Sequence, residues 1–295
     1  MKTILCTILA LIAFAGNSVL CRLALGESAI DAASFTAIRI LSGIIVLTVI
    51  STIAQNSTQT TSRGSWQASF WLFLYAIAFS FAYISLQTGV GALILFGSVQ
   101  FTMILAGLLS GNRLHFFEWS GVIVAFSGFV YLVLPGLSSP SLSGFILMAI
   151  AGIAWGFYTL AGKGSRNPLA DTTFNFMRTL PLVLILIALS FKYAAISSQG
   201  ILLAVISGAI TSGIGYTIWY IALGGLTAVQ AAVLQLLVPV IAALGGVVFS
   251  NETITLRLIL SSLMILGGIL AVILGKHYAL KVTANSPSSI GQKTQ

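Results

Sequence analysis

Stretches of about 20 apolar residues recur along nearly the whole of this chain, and each suffices to cross the ~30 Å hydrocarbon core of a bilayer at ~1.5 Å rise per residue. The sequence is 58% hydrophobic and 6% charged, with a mean hydropathy of +1.08, whereas a soluble globular domain carries about 25% charged residues. Such a chain is an all-α integral membrane protein. Its backbone polar groups have no water to bond and must be closed within each helix.

Ten spans are expected, near residues 4–25, 34–54, 68–88, 90–110, 118–135, 144–163, 172–190, 200–222, 228–250 and 255–275. Polar punctuation separates most of them: "QNSTQTTSRGS" after the second, "GNRLHF" after the fourth, "PGLSSPSLSG" after the fifth, "KGSRNPLAD" after the sixth and "NETIT" after the ninth. "QTGVG" and "GGLTA" are turns with almost no loop. The first span does not read as a cleaved signal peptide, because it runs too long for an apolar signal core and shows Cys21-Arg22 where small residues would mark cleavage. The polar stretch from Lys276 onward is expected to be a disordered tail. Cys6 and Cys21 lie about 22 Å apart along one helix, beyond disulfide reach, and read as packing residues.

Lysines and arginines orient the chain. With the N-terminus inside, Lys2, Arg63, Arg113, Lys163, Arg166, Lys276, Lys281 and Lys293 are cytoplasmic, and Arg22, Lys192 and Arg257 face outward. A multi-pass inner-membrane protein with both termini in the cytoplasm is therefore expected. This bias accounts for most of the net charge of +8 without a nucleic-acid partner.

The chain also contains itself twice. "SFTAIR" (34–39) aligns with "TFNFMR" (173–178), placing Arg39 opposite Arg178, each preceded by an aspartate, Asp31 and Asp171. "SGNRLHFFEWSGVIVAFSGFVYLVL" parallels "SNETITLRLILSSLMILGGILAVIL", with Gly128 opposite Gly268, and a glutamine lies in each fourth helix, Gln100 and Gln235. Five helices per repeat is an odd number, so the second copy enters the membrane from the opposite side, the plan of many secondary transporters. The expected units are residues 1–137 and 138–276, each a five-helix repeat, followed by the tail at 277–295.

These features resemble the drug/metabolite transporter superfamily, specifically its EamA-type ten-helix carriers. The likeness rests on the five-plus-five plan, the arginine early in each second helix, "AFAGNSVLCRLAL", "IAWGFYTLAGK" and the "SNETIT" turn, and it covers residues 1–276. It implies a carrier for small metabolites and often an exporter. One departure is visible: the acid in the turn after the fourth helix is present in the second half as Glu252, while the first half has Asn112-Arg113.

Arg39 falls about five residues into its span, within snorkelling reach of the headgroups, and Arg178 mirrors it at the other face. The expected role of both is structural: an anchor or a donor to a helix end, since an arginine at the bilayer centre costs about 2.5–3.5 kcal/mol on insertion scales. A gate element or a carboxylate site is the alternative. Lys163 reads as a snorkelling lysine. Pro181 and Pro239 fall inside spans and free backbone carbonyls, as static kinks or as hinges.

Polar and aromatic groups near span centres are the candidate substrate contacts, because in lipid they are costly unless they face a cavity or a partner helix. They are Asn17, Tyr83, Gln100, Trp155, Tyr158, Tyr216, Trp219 and Gln235. Tyr75, Phe79 and Tyr83 recur every four residues; Ser212, Tyr216, Trp219 and Tyr220 share a face of the eighth span. For each ring the competing explanation is helix packing or a lipid-facing belt. No acidic residue sits at a span centre, so no buried proton relay is visible, and facilitated diffusion or exchange carries equal weight with proton coupling. No HExxH or GxSxG occurs, and no catalytic residue, metal site or cofactor is expected. The expected function is a secondary carrier that exports a small metabolite, an amino acid or an amphipathic drug-like compound, by alternating access. The alternative is a lipid-linked carrier or assembly partner of an envelope pathway. Ten helices close a pathway in one chain, so a monomer suffices and a dimer stays open.

Overall fold

A computed structural model describes residues 2–54, 64–111, 116–134, 140–162, 165, 167–226 and 234–284. The helices are α1 (Lys2–Gly26), α2 (Ala32–Ile53), α3 (Trp66–Tyr83), α4 (Thr88–Leu109), α5 (Phe116–Val133), α6 (Leu142–Ala161), α7 (Pro168–Arg178), α8 (Leu180–Ser190), α9 (Ser198–Ile206), α10 (Gly215–Leu223), α11 (Val238–Ser250) and α12 (Leu256–Ala284). A π-helical segment, Ser207–Ile214, joins α9 to α10 without a break. Seven of the described helical runs are long and apolar enough to cross a membrane, with Pro168–Tyr193 and Ser198–Ala222 each counting as one. Glu118–Val133 and Val238–Ser250 are shorter apolar helices. The 18-residue α3, rich in Trp, Tyr and Ser, completes ten.

Local chemistry starts these helices. Asp31 caps α2 by accepting from the N–H groups of Ala33 and Ser34; Ser65, Ser141 and Ser197 cap α3, α6 and α9 in the same way. Asn167 followed by Pro168 opens α7, since proline in the first turn gives up only an orphan N–H. Residues 276–284 differ from expectation: α12 runs on to Ala284 rather than giving way to disorder at Lys276. "KHYALKVTA" has enough helix formers to continue a turn or two beyond the apolar run.

Packing follows the repeat with its halves exchanged. α3 and α4 lie against α6, while α11 and the α9–α10 unit lie against α1; α5 pairs with its own counterpart α12. In that last pair the same contact is made twice. A Cβ at Gly128 would lie 2.8 Å from Ile265 Cγ1, and one at Gly268 would lie 2.7 Å from the Ala125 nitrogen. Both positions need glycine for close approach. The architecture is two inverted five-helix repeats.

The aspartates ahead of the two arginines tie the repeats together at opposite ends. The Asp31 carboxylate accepts from Ala195 N at 3.0 Å, beside an isolated antiparallel bridge between Ile30 and Ile196. At the other end Asp171 accepts from Gly64 N at 2.9 Å, and Asn175 Oδ1 accepts from Ser65 N at 2.8 Å. Burial pushes the Asp31 carboxyl up, but its hydrogen bonds from Ser34, Ala195 and Ala33 outweigh this and hold it below the ordinary aspartate value.

Candidate functional site

Arg39 does not snorkel. It lies two turns inside α2, is 2% exposed, and turns into the bundle. Nε donates to Ser212 Oγ at 3.2 Å, and Nη2 donates to the hydroxyls of Tyr75 at 3.1 Å and Tyr216 at 3.4 Å. The guanidinium carbon stands 5.3 Å from the Tyr75 ring centroid and 5.0 Å from that of Phe79. The reason is a close crossing of α2 over the π segment. A side chain at Gly208 would run into the Arg39 carbonyl and Ser42 Oγ, so glycine lets the two backbones meet. Hydrogen bonds to neutral oxygens and two aromatic faces offset part of the desolvation cost that would otherwise draw the charge toward the headgroups.

Asn17 joins the same cluster from α1. Its amide nitrogen donates to Tyr75 Oη at 3.3 Å, and its Oδ1 accepts from Ser207 at 2.6 Å and Thr211 at 3.2 Å. The Tyr216 and Tyr75 hydroxyls stand 3.5 Å apart. Four spans thus meet in one polar network at the contact between repeats. The π segment, "SGAITSGI", supplies three of its hydroxyls. Small residues and a widened turn expose both side chains and backbone there, and such segments are frequent at functional sites.

Beside this network lies a narrow cavity, with about 10 Å³ open to the centre of a water molecule, enough for roughly one water. Phe14, Tyr75, Phe79, Trp155 and Tyr216 wall it with Asn17, and α4 closes it with Leu95 and Phe96. The rings hold one another: Trp155 lies 4.8 Å from Tyr75 and 4.9 Å from Tyr216, centroid to centroid, and Phe14 meets Trp155 edge-on at 6.3 Å. Such offset and edge contacts are the favoured aromatic geometries.

Of the residues singled out by sequence, Asn17, Tyr75, Phe79, Trp155 and Tyr216 come to the cavity. Trp219 stands behind it, edge-on to Phe14 at 5.6 Å. Tyr158 packs on Trp155 at 5.3 Å, outside the lining. Tyr83 is a strut: its hydroxyl donates to the Thr88 carbonyl at 3.2 Å across the α3–α4 turn. Gln100 is buried in α4 and Gln235 is half-buried in helical backbone just before the Leu236–Leu237 turn that precedes α11, and neither lines the cavity. Pro239 stands in the first turn of α11 rather than mid-helix. Pro181 follows a one-residue interruption at Thr179 that divides α7 from α8, the kink expected where proline removes an i to i−4 bond. Arg178 ends α7 at that joint, half-buried, its guanidinium 5.6 Å from the Trp66 ring. Lys163 and Asn112-Arg113 lie outside the described residues. Phe14 and Phe96 escaped notice because a phenylalanine in an apolar run carries no sign of the face it uses. Phe14 does sit three residues before Asn17, on the same side of α1.

Toward the end of the bundle where α1 finishes, an ion pair joins the two halves. Arg22 Nε and Glu252 Oε1 pair at 3.1 Å, and Arg22 Nη1 donates to the Tyr83 carbonyl at 3.3 Å. The Glu252 oxygens accept from Thr88 N at 3.0 and 2.8 Å. Glu252 thus caps α4, whose own cap residue Gln87 makes no side-chain bond.

Residues 142–274 match the EamA-like transporter family. A Pseudomonas aeruginosa protein of uncharacterized function is 47% identical over 272 residues, 92% of this chain and 94% of its own length. An uncharacterized transporter of Archaeoglobus fulgidus is 27% identical over 209 residues, covering 68% of this chain and 73% of the other. A probable amino-acid metabolite efflux pump of Escherichia coli is 22% identical over 227 residues, 72% of this chain and 76% of the other. A crystal structure at 19% identity superposes with a TM-score of 0.60 over 90% of this chain and 98% of that one, and has the same fold. Ten apolar spans in inverted repeats, a polar and aromatic cluster at their junction, and these likenesses agree: the chain belongs to the EamA-like transporters of the drug/metabolite transporter superfamily and is a transporter, not an enzyme.

Proposed function

We propose that this transporter is a secondary carrier that exports small amphipathic metabolites, amino acids among them, across the inner membrane by alternating access. The observation that carries the reading is the cavity at the junction of the repeats: rings and hydroxyls from both halves enclose it, and the Arg22–Glu252 pair closes one end. A site between inverted repeats is exposed to each side in turn as one repeat rocks against the other. The positive-inside rule supports both termini in the cytoplasm, which makes the Arg22–Glu252 end the outer one. The Escherichia coli and Salmonella typhimurium relatives named as probable amino-acid metabolite efflux pumps support the cargo class and the direction. No acidic residue among the described ones occupies a span centre, which favours exchange or facilitated diffusion over a buried proton relay.

Counterflow tests this. Purified protein in liposomes preloaded with one unlabelled compound should accumulate the same labelled compound, tested across amino acids, aromatic acids and aromatic cations. Accumulation of none of them by protein that is monodisperse and helical would sink the carrier reading for this cargo class.

A further inference from the structure

The guanidinium of Arg39 is a buried charge without a countercharge. Among the described residues, the ion pair within 4 Å is that of Arg22 with Glu252, and no carboxylate faces Arg39. Its three hydrogen-bond partners are neutral hydroxyls, and its two aromatic neighbours offer only quadrupoles. Nη1, which carries two N–H donors, has no partner among the described residues although Arg39 is 2% exposed. Buried charges are ordinarily paired, and a buried donor without a partner is costly. Arg39 is not itself in the cavity lining, but Tyr75, Phe79 and Tyr216, which touch its guanidinium, wall the cavity and place the charge directly behind it.

We propose that Arg39 is the anion-binding residue of the transport site and that the cargo is a carboxylate with an apolar body. This rests on the carrier reading above. The carboxylate accepts from the two free N–H groups of Nη1, a charge-assisted bond in a site where water does not compete. The rest of the cargo lies among Phe14, Phe96, Trp155 and Tyr216. The amide of Asn17 is already engaged on both its atoms, and no carboxylate of the described residues stands at the cavity to hold an ammonium group. An amino group on the cargo therefore finds ring faces alone, and a desamino acid binds about as well as the amino acid. The closed cavity holds about one water and must widen to admit the cargo, as a carrier caught between its open states does.

The test is calorimetric titration of the purified wild-type protein with 3-phenylpropanoate, its amide 3-phenylpropanamide and phenylalanine, together with counterflow of each. The expected result is binding of the two acids at least about tenfold tighter than the amide, the worth of one charge-assisted hydrogen bond. Arg39→Gln should remove the preference and Arg39→Lys should retain part of it. Equal binding of acid and amide by the wild-type protein, or binding of neither, overturns the proposal, whether or not the variants fold. Counterflow of amides or cations without preference for acids would overturn the arginine site and leave the carrier standing. Arg39-dependent acid binding with no counterflow would support the site and overturn the carrier.

Discussion

Arg39 and Arg178 hold matching places in the two repeats, yet they live in different surroundings. Arg39 is enclosed within the bundle and, among the described residues, lacks a partner for Nη1; Arg178 is half-buried at a helix joint with Trp66 across its guanidinium. The flanking backbone makes the difference. α2 runs unbroken past Arg39 and crosses the π segment at Gly208, which leaves the guanidinium nowhere to go but inward. α7 stops at Arg178, and Pro181 starts the next helix. A duplicated sequence thus supplies two similar residues, and the unequal helices around them leave one buried among polar and aromatic groups of the bundle and the other half-buried at a helix joint.

The largest expected effect would break this contrast if it failed to appear. Arg39→Gln should lower counterflow of a carboxylate cargo at least about tenfold, as loss of a charge-assisted bond would. Arg178→Gln should cost less, about two- to fivefold, since a cation–π contact outside the core is worth about 0.5–1 kcal/mol. Equal losses would mean that the two arginines act alike. Next is the crossing that turns Arg39 inward. Gly208→Ala should destabilise by about 1–3 kcal/mol through overpacking, seen as a lower Tm in detergent. Gly267→Ala, where an added Cβ meets nothing within 4 Å, should be neutral or stabilising by up to about 1 kcal/mol. A Gly208→Ala protein as stable as the wild type would show that the backbones need not touch.

Smaller effects sharpen the boundary of the site. Tyr216→Phe and Trp155→Ala should reduce counterflow by roughly three- to tenfold, on the scale of a lost neutral hydrogen bond or aromatic contact. Gln100→Ala and Gln235→Ala should leave it within about twofold, since neither residue lines the cavity; a loss comparable to that of Trp155→Ala would move the pathway toward α4 and α11. The smallest effect concerns the latch at Asp31. Its carboxyl is held below its ordinary value when folded, so its contribution is present above the unfolded pKa of about 3.9 and disappears as pH falls through the folded value. Asp31→Asn should lower Tm slightly at pH 6, and the gap from the wild type should close as pH falls below the folded value; a gap that stayed constant would assign the effect to packing.

Much of the architecture is legible in the sequence because hydrocarbon imposes a length on every span and the repeat imposes an orientation. The site is less legible. A helix that is apolar all round has no polar face to point at solvent, so its pattern does not say which side meets the cavity. Asn17, Trp155 and Tyr216 could be singled out because polar or amphipathic groups are conspicuous in such runs, whereas Phe14, Leu95 and Phe96 look like any lipid-facing residue. The same reasoning picks out Gln100 and Gln235, which sit against other neighbours. The place of Arg39 is hidden in the sequence for a specific cause. Distance from the helix end suggests snorkelling, while the inward turn depends on Gly208 in a span 169 positions away (208 − 39).

The widened turn from Ser207 to Ile214 has a consequence for how this span tolerates change. Around an α-helix each residue advances the face by about 100°, and the π turns here absorb extra chain without breaking the helix. That slack lets Ser207 and Thr211 reach Asn17 while Ser212 and Tyr216, further on, reach Arg39. A single deletion within the segment would tighten it toward α-geometry and rotate everything beyond it, carrying Tyr216 off the cavity wall and Trp219 off Phe14 behind it. One residue of length, rather than any one side chain, keeps the two halves of the eighth span in phase.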